Sequence, residues 1–270
     1  MKKVKLYRRL GPVYRRSYYV MSPLINAAVR LRWSGAENLP ETGGAVLASA
    51  HISAIDPIYV AYGVARFGRQ AHFMAKASLF HKPVVKSLFK MWDFVPVDRK
   101  RGASSLEAAA EELRAGKILV IYPEGTFTRD PAFWPMTMKT GAARLALDAG
   151  VPLIPVAQWG AQDSMDRYSK RFSLRRTRTY AHILPAVDLS DLPGGSENHE
   201  SVRIATERLQ NAILQGAGQL RNQRPPTAVW DVEAKGPERA ALAKLSKWRR
   251  QLARVNHTQD VLPVRPRRLD

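Results

Sequence analysis

The sequence predicts an α/β protein: a largely parallel central sheet covered by helices, with a basic amphipathic N-terminal helical segment and a C-terminal helical tail. Three observations predict it. Gly44–Ser49, Lys117–Tyr122 and Leu153–Ala157 are apolar runs with the length and bulk of buried strands. Helical segments alternate with these runs, which is the pattern of a parallel sheet. Two of the runs lead into polar loops, one at His51 and one at Glu124–Gly125, where α/β proteins place their sites.

Along the chain, residues 1–40 carry Lys2, Lys3, Lys5, Arg8, Arg9, Arg15, Arg16, Arg30 and Arg32 against one acid, Glu37. Tyrosines and aliphatic residues lie between them, and Pro12 and Pro23 divide the segment into short helices. This composition suits either a bilayer interface or a helix packed on the domain with a solvated basic face. Glu41–Gly44 is a turn into the first buried strand. Asp56-Pro57 starts a helix, with the acid able to cap and proline in the first turn. Arg69–Lys76 is a second strand, Lys82–Trp92 a basic amphipathic helix, and Asp93–Arg99 a short strand ending in cations.

Ser104 or Ser105 caps a helix over Leu106–Ala115, and Gly116 ends it. The Lys117–Tyr122 strand follows. A helix over Lys139–Ala149 has small residues for close packing, and Gly150-Val151-Pro152 stops it. After the Leu153–Ala157 strand, residues 166–180 are basic, Tyr180–Val187 is the last strand, and Asn198–Gln215 is a closing helix. Residues 221–237 read as a linker, and Glu238–Val255 as a basic amphipathic helix that either binds an anionic bilayer or docks on the domain. The organisation is thus a membrane-interface segment over 1–40, an α/β domain over 41–216, and a basic linker, helix and tail over 217–270.

The 270 residues carry a net charge of +20, which implies an anionic partner, either a membrane surface or nucleic acid. Cysteine is absent, which excludes disulfides, thiolate zinc sites and a cysteine nucleophile. No run reaches the roughly 18 apolar residues of a spanning helix. The basic N-terminus lacks the uninterrupted apolar core of a secretory leader, so a membrane role is expected to be peripheral.

His51 ends a strand and Asp56 begins a helix five residues on, so the turn can fold the carboxylate back to the imidazole. A histidine oriented in this way can take a proton from an alcohol; the same spacing also fits a structural histidine beside a helix start. Gly125 lets a substrate approach the backbone, and Glu124 fits either a hydroxyl contact or an ion pair. The cations at Arg99, Lys100 and Arg101 suit a phosphate or a solvated turn.

Four pieces occur in fixed order: His51-x-x-x-x-Asp56, Phe94–Arg99, Tyr122-Pro123-Glu124-Gly125-Thr126, and Val151-Pro152-Leu153-Ile154-Pro155-Val156. Together they resemble the four blocks of the glycerolipid acyltransferase family, typified by bacterial 1-acylglycerol-3-phosphate acyltransferases, over residues 35–190. The resemblance implies direct transfer of an acyl group from a thioester to a glycerol hydroxyl, with no acyl-enzyme. His51 would be the general base, Asp56 would hold its tautomer, and loop amides would offset charge on the oxyanion. Arg99 would bind the acceptor phosphate and Glu124 and Gly125 the glycerol portion, with Thr126 also among the substrate-binding residues. The Val151–Val156 strand would shape the acyl pocket or core.

One departure stands out. Many members read Glu-Gly-Thr-Arg in the third block, and here Phe127 replaces that arginine. Arg129 or Lys139 then becomes the candidate replacement cation.

The expected function is a peripheral enzyme at the cytoplasmic face of the cell membrane that converts a lysophosphatidate to phosphatidate. Its donor would be acyl-CoA or acyl carrier protein, with no metal or other cofactor. Two alternatives differ: the same chemistry on glycerol 3-phosphate, another lysophospholipid or a glycolipid, or a non-catalytic basic membrane- or nucleic-acid-binding protein. The aromatics of residues 1–40 form no recognisable nucleic-acid module, which argues against a nucleic-acid partner.

Overall fold

The computed structural model describes residues 10–76, 95–97, 102–165, 172–173 and 176–231. Its strands are β1 (Val29–Ser34), β2 (Ala45–Ser49), β3 (Ala71–Lys76), β4 (Val95–Val97), β5 (Ile118–Ile121), β6 (Leu153–Trp159) and β7 (Thr177–Ile183). Its helices are α1 (Pro12–Ala28), α2 (Asp56–Arg66), α3 (Gly102–Arg114), α4 (Gly141–Ala149), the short α5 (Ala161–Ser164) and α6 (His199–Arg221). The strands form one sheet in the order β1-β7-β6-β2-β5-β3-β4. Every pairing is parallel except β6 with β7. The expected fold class, with its N-terminal helix, is therefore the observed one.

The central strands read as unbroken apolar runs because both faces of the sheet are covered. On one face Leu47, Val120, Ile154 and Val156 pack with Val60 and Val64 of α2. On the other, Val46, Leu119 and Leu153 pack with Leu113 of α3, Ala146 of α4, and Leu209 and Ile213 of α6. Close approach is built in at Gly63, where a Cβ would lie 2.0 Å from Trp33 Cε2. Asn198 caps α6 as its type predicts, its side-chain oxygen accepting from Glu200 and Ser201 amides, both at 3.1 Å.

Helix α3 begins at Gly102, so Ser104 and Ser105 lie inside it and do not cap it. The structure differs from the sequence expectations in four further places. First, the described part of residues 1–40 is not all helical. Helix α1 runs through Pro23, and β1 then joins the sheet beside β7. The alternation Val29-Arg30-Leu31-Arg32-Trp33-Ser34 is that of a strand with one solvated face.

Second, β7 begins three residues earlier than expected and ends at Ile183. Third, α6 continues to Arg221, so the boundary at 216/217 falls inside it. Gly216 sits within this helix because Leu184 and Ala157 press on it; a Cβ there would lie 2.7 Å from Leu184 Cδ1. The part of 217–231 beyond α6 packs back on the domain, with Thr137 N donating to Trp230 O at 2.9 Å and Val229 against Trp134. Fourth, Asp56 does not cap α2; its carboxylate turns back into the preceding loop.

The Lys82–Trp92 helix and the Glu238–Val255 helix lie outside the described residues, as does Arg99 with its neighbouring cations.

Candidate active site

Strand β2 delivers His51 at its carboxyl end, and the turn over Ile52–Ile55 returns the chain to α2. Asp56 is fully buried and His51 is 13% exposed at its side chain. Asp56 Oδ2 lies 3.0 Å from His51 Nδ1. The same oxygen accepts the amides of Ile52 at 2.7 Å and Ser53 at 2.8 Å. The two amides fix the carboxylate before the imidazole meets it. Burial pushes the Asp56 pKa up, and the His51 hydrogen bond and the Ser53 and Ile52 amides oppose that push. With Nδ1 bonded to Asp56, Nε2 is the ring nitrogen left for a substrate proton.

Strand β5 delivers the second loop. Glu124 is buried, and it touches the protein's own backbone: Oε1 accepts His51 N at 3.0 Å and Oε2 accepts Met136 N at 3.0 Å. Thr128 N donates to His51 O at 2.7 Å, so the two loops are joined twice. Burial raises the Glu124 pKa to about 8; the two amides oppose the shift, and the charges of Asp56 and Asp130 add to it. Gln158 of β6 supports the same corner from beneath, its Nε2 donating to Ser49 Oγ at 2.7 Å and to Ala50 O at 3.0 Å.

Two aromatic rings hold the imidazole. Tyr122 stacks on His51 with centroids 4.0 Å apart and an interplanar angle of 23°. Phe127 leans on it at 4.3 Å and 59°. Phe127, which the resemblance sets at the family's arginine position, thus places an apolar wall against the imidazole. Neither stack was read from the sequence, although both residues fall in or beside the third block.

The remaining sequence candidates flank this corner. Gly125 is exposed with φ +71°, and a Cβ there would lie 3.3 Å from Lys139 Cε, so Gly125 and Lys139 are neighbours. Thr126 is half-buried, and the amides of Thr126 and Phe127 have no acceptor among the described residues. Arg129 is exposed, and its amide meets Met136 Sδ at 3.0 Å. The Leu153–Val156 part of the fourth block is wholly buried in the core as β6. Among the described residues no group of acids and histidines is arranged to hold a metal ion.

The structure thus brings His51, Asp56 and Glu124 together, with Gly125, Thr126 and Lys139 along the rim. A carboxylate-oriented imidazole of this kind can deprotonate a hydroxyl placed at Nε2.

The model of the Acyltransferase family matches residues 30–159, a span that contains β2, the His51 turn and the Glu124 loop. Over 178 residues the chain is 33% identical to a 1-acyl-sn-glycerol-3-phosphate acyltransferase of Bacillus subtilis (strain 168); the match covers 66% of this chain and 83% of that protein. It is 26% identical over 172 residues to one of Borreliella burgdorferi, covering 62% of this chain and 65% of that one. The fold is similar to the crystal structure of the 1-acyl-sn-glycerophosphate acyltransferase PlsC of Thermotoga maritima. That comparison has a TM-score of 0.55 and 21% identity over 78% of each chain.

Proposed function

The chain belongs to the glycerolipid acyltransferase family and is an acyltransferase, and from that premise we propose that it acylates the free glycerol hydroxyl of a lysophosphatidate to give phosphatidate. The observation that carries this reading is the His51–Asp56 contact at 3.0 Å, at the carboxyl end of a central strand and beside an exposed glycine loop.

In this mechanism the acceptor hydroxyl donates to His51 Nε2. As the proton moves to the imidazole, the oxygen attacks the thioester carbonyl carbon and the C–S bond breaks. Asp56 stabilises the imidazolium that forms, through the bond to Nδ1. The amides of Thr126 and Phe127, without an acceptor among the described residues, are the donors assigned to the carbonyl oxygen as charge develops there. The proton on His51 then passes to the leaving thiolate. The thioester is acyl-CoA or acyl carrier protein, and no further cofactor takes part. Gly125 and Thr126 border the glycerol portion, while Lys139 and Arg129 are the cations this reading offers to the acceptor phosphate in place of the family arginine. Glu124 shapes the glycerol site by fixing the two loops that line it.

The site works at the cytoplasmic face of a membrane, held peripherally. No described helix is long and apolar enough to cross a bilayer. Helix α1 instead exposes Val13, Tyr19, Val20 and Leu24, with Arg15 and Arg16 on the same short helix. Apolar and aromatic side chains beside arginines suit an anionic interface. An assay with oleoyl-lysophosphatidate and each donor in turn tests the function. Phosphatidate is the expected product; acylation of glycerol 3-phosphate or another lysolipid in its place would move the acceptor assignment.

A further inference from the structure

Strands β1 and β7 are paired in parallel register, with Arg30 opposite Arg178, Arg32 opposite Tyr180 and Ser34 opposite His182. In-register neighbours of a parallel pair share a face. Val29, Leu31 and Trp33 turn to the α2 layer, where they pack with Ile25, Tyr62 and Val64. Arg30, Arg32 and Arg178 therefore share the opposite face, and all three are exposed. The Ser34 Oγ to His182 Nδ1 contact at 2.7 Å lies on that same face. Arg176, just before β7, is exposed as well. None of these four arginines has an acidic partner among the described residues. Like charges directly opposite each other on a sheet cost stability, so this pattern is unfavourable in the isolated molecule and calls for an anionic partner.

The position of this face relates it to the active site. Ser49 pairs with Val156 and Trp159 pairs with Tyr180. Arg178 and Arg30 thus lie past the carboxyl end of β6, the end of the sheet from which His51 emerges. Three strand spacings, roughly 15 Å, separate β1 from β2.

We propose that this arginine face of β1 and β7 is the docking surface for an acidic acyl carrier protein that presents the donor thioester to His51. The proposal rests on the acyltransfer reading above and names the donor within it. Two observations favour a protein over other anions. The cations are spread along two paired strands, Arg30 and Arg32 on one and Arg178 on the other, whereas a nucleotide needs a concave site. They are all arginines, which are enriched at protein interfaces. A bilayer is disfavoured by placement. Helix α1, which carries the exposed apolar stripe, lies on the α2 side of the sheet, with Tyr18 stacked on Tyr62 at 5.2 Å, whereas the arginines are on the other side.

The test uses the full chain and the double variant Arg30→Gln/Arg178→Gln. Binding of a fluorescently labelled bacterial acyl carrier protein is titrated at low and high salt. Turnover is then compared with palmitoyl-carrier protein and palmitoyl-CoA, alongside vesicle binding and thermal unfolding. The expected result is a loss of about tenfold or more in carrier affinity and in carrier-dependent kcat/KM. Turnover with palmitoyl-CoA and vesicle binding should hold, and thermal stability should hold or rise because the repulsion is relieved. Unchanged carrier affinity would overturn the proposal. Equal losses with both donors would assign the face to the nucleotide or to general structure, and a loss of vesicle binding would assign it to lipid headgroups. The titration reads docking without turnover, so a wild-type protein that binds the carrier yet makes no phosphatidate would fail the acyltransfer reading and not the surface.

Discussion

Glu124 Oε1 accepts the backbone amide of His51 at 3.0 Å, so the carboxyl group of the third sequence block holds the backbone of the first. Its other oxygen holds Met136 N at the same distance. The acid is thereby a brace between two loops, set directly behind the imidazole.

That brace predicts a pH-dependent stability. Burial raises the Glu124 pKa to about 8, above the ordinary 4.5 it returns to on unfolding. Between these values the folded state binds more protons than the unfolded one, so this contribution is fully present below about pH 4.5 and is lost as pH rises towards about 8. Thermal unfolding across that range should show a declining midpoint for the wild type and a flatter profile for Glu124→Gln. The variant should also be less stable by about 1–3 kcal/mol, because an amide side chain has one acceptor for two backbone donors. Parallel pH profiles would remove Glu124 from this role.

Asp56→Asn separates charge from geometry. An asparagine oxygen placed where Oδ2 lies still accepts from Ile52, Ser53 and His51 Nδ1, so the loop and the tautomer survive. The charge that stabilises the imidazolium is lost, and the amide nitrogen takes the place of Oδ1, a buried atom with no partner among the described residues, so some stability is lost with it. Turnover should fall by roughly 10²-fold or more with little change in KM. A variant that keeps wild-type turnover would show that Asp56 serves the loop alone.

The imidazole is packed between Tyr122 and Phe127 at 4.0 and 4.3 Å. Phe127→Ala should free the ring to sample other rotamers and lower kcat by about tenfold. Phe127→Tyr keeps the ring and should restore most of it. A fall in both variants alike would point to the phenylalanine edge itself, not to its packing on His51.

Val20 and Leu24 of α1 are 68% and 61% exposed. Val20→Asp/Leu24→Asp should weaken binding to anionic vesicles by about tenfold or more, including the part that survives high salt. Turnover on a water-soluble short-chain acceptor should be unchanged. Equal vesicle binding by both proteins would remove α1 from the interface.

Much of this organisation was legible in the chain. The strands at 45–49, 118–121 and 153–159 are buried on both faces, so periodicity and bulk announce them. The His51–Asp56 spacing also carried its geometry, because a five-residue turn leaves few ways to place the carboxylate. Strand β1 was hidden by its own arginines, which made a half-solvated strand look like part of a basic helix. The end of α6 was hidden by Gly216 and Gly218, which normally punctuate helices and here admit Leu184 and Pro225. In the sequence Glu124 fits either a hydroxyl contact or an ion pair; its observed partners are backbone amides, which every residue carries, so no pattern marks them. The stacking of Tyr122 and Phe127 on His51 depends on how two loops meet, and no local pattern records it.

The most direct test of the account is the turnover of His51→Ala beside the wild type, with oleoyl-lysophosphatidate and a thioester donor, and thermal unfolding of both proteins. Phosphatidate is expected from the wild type and a loss of at least about 10²-fold in the variant, with the unfolding midpoint and vesicle binding retained. Turnover in a folded His51→Ala protein within a few-fold of the wild type would contradict the assignment of His51 as the base.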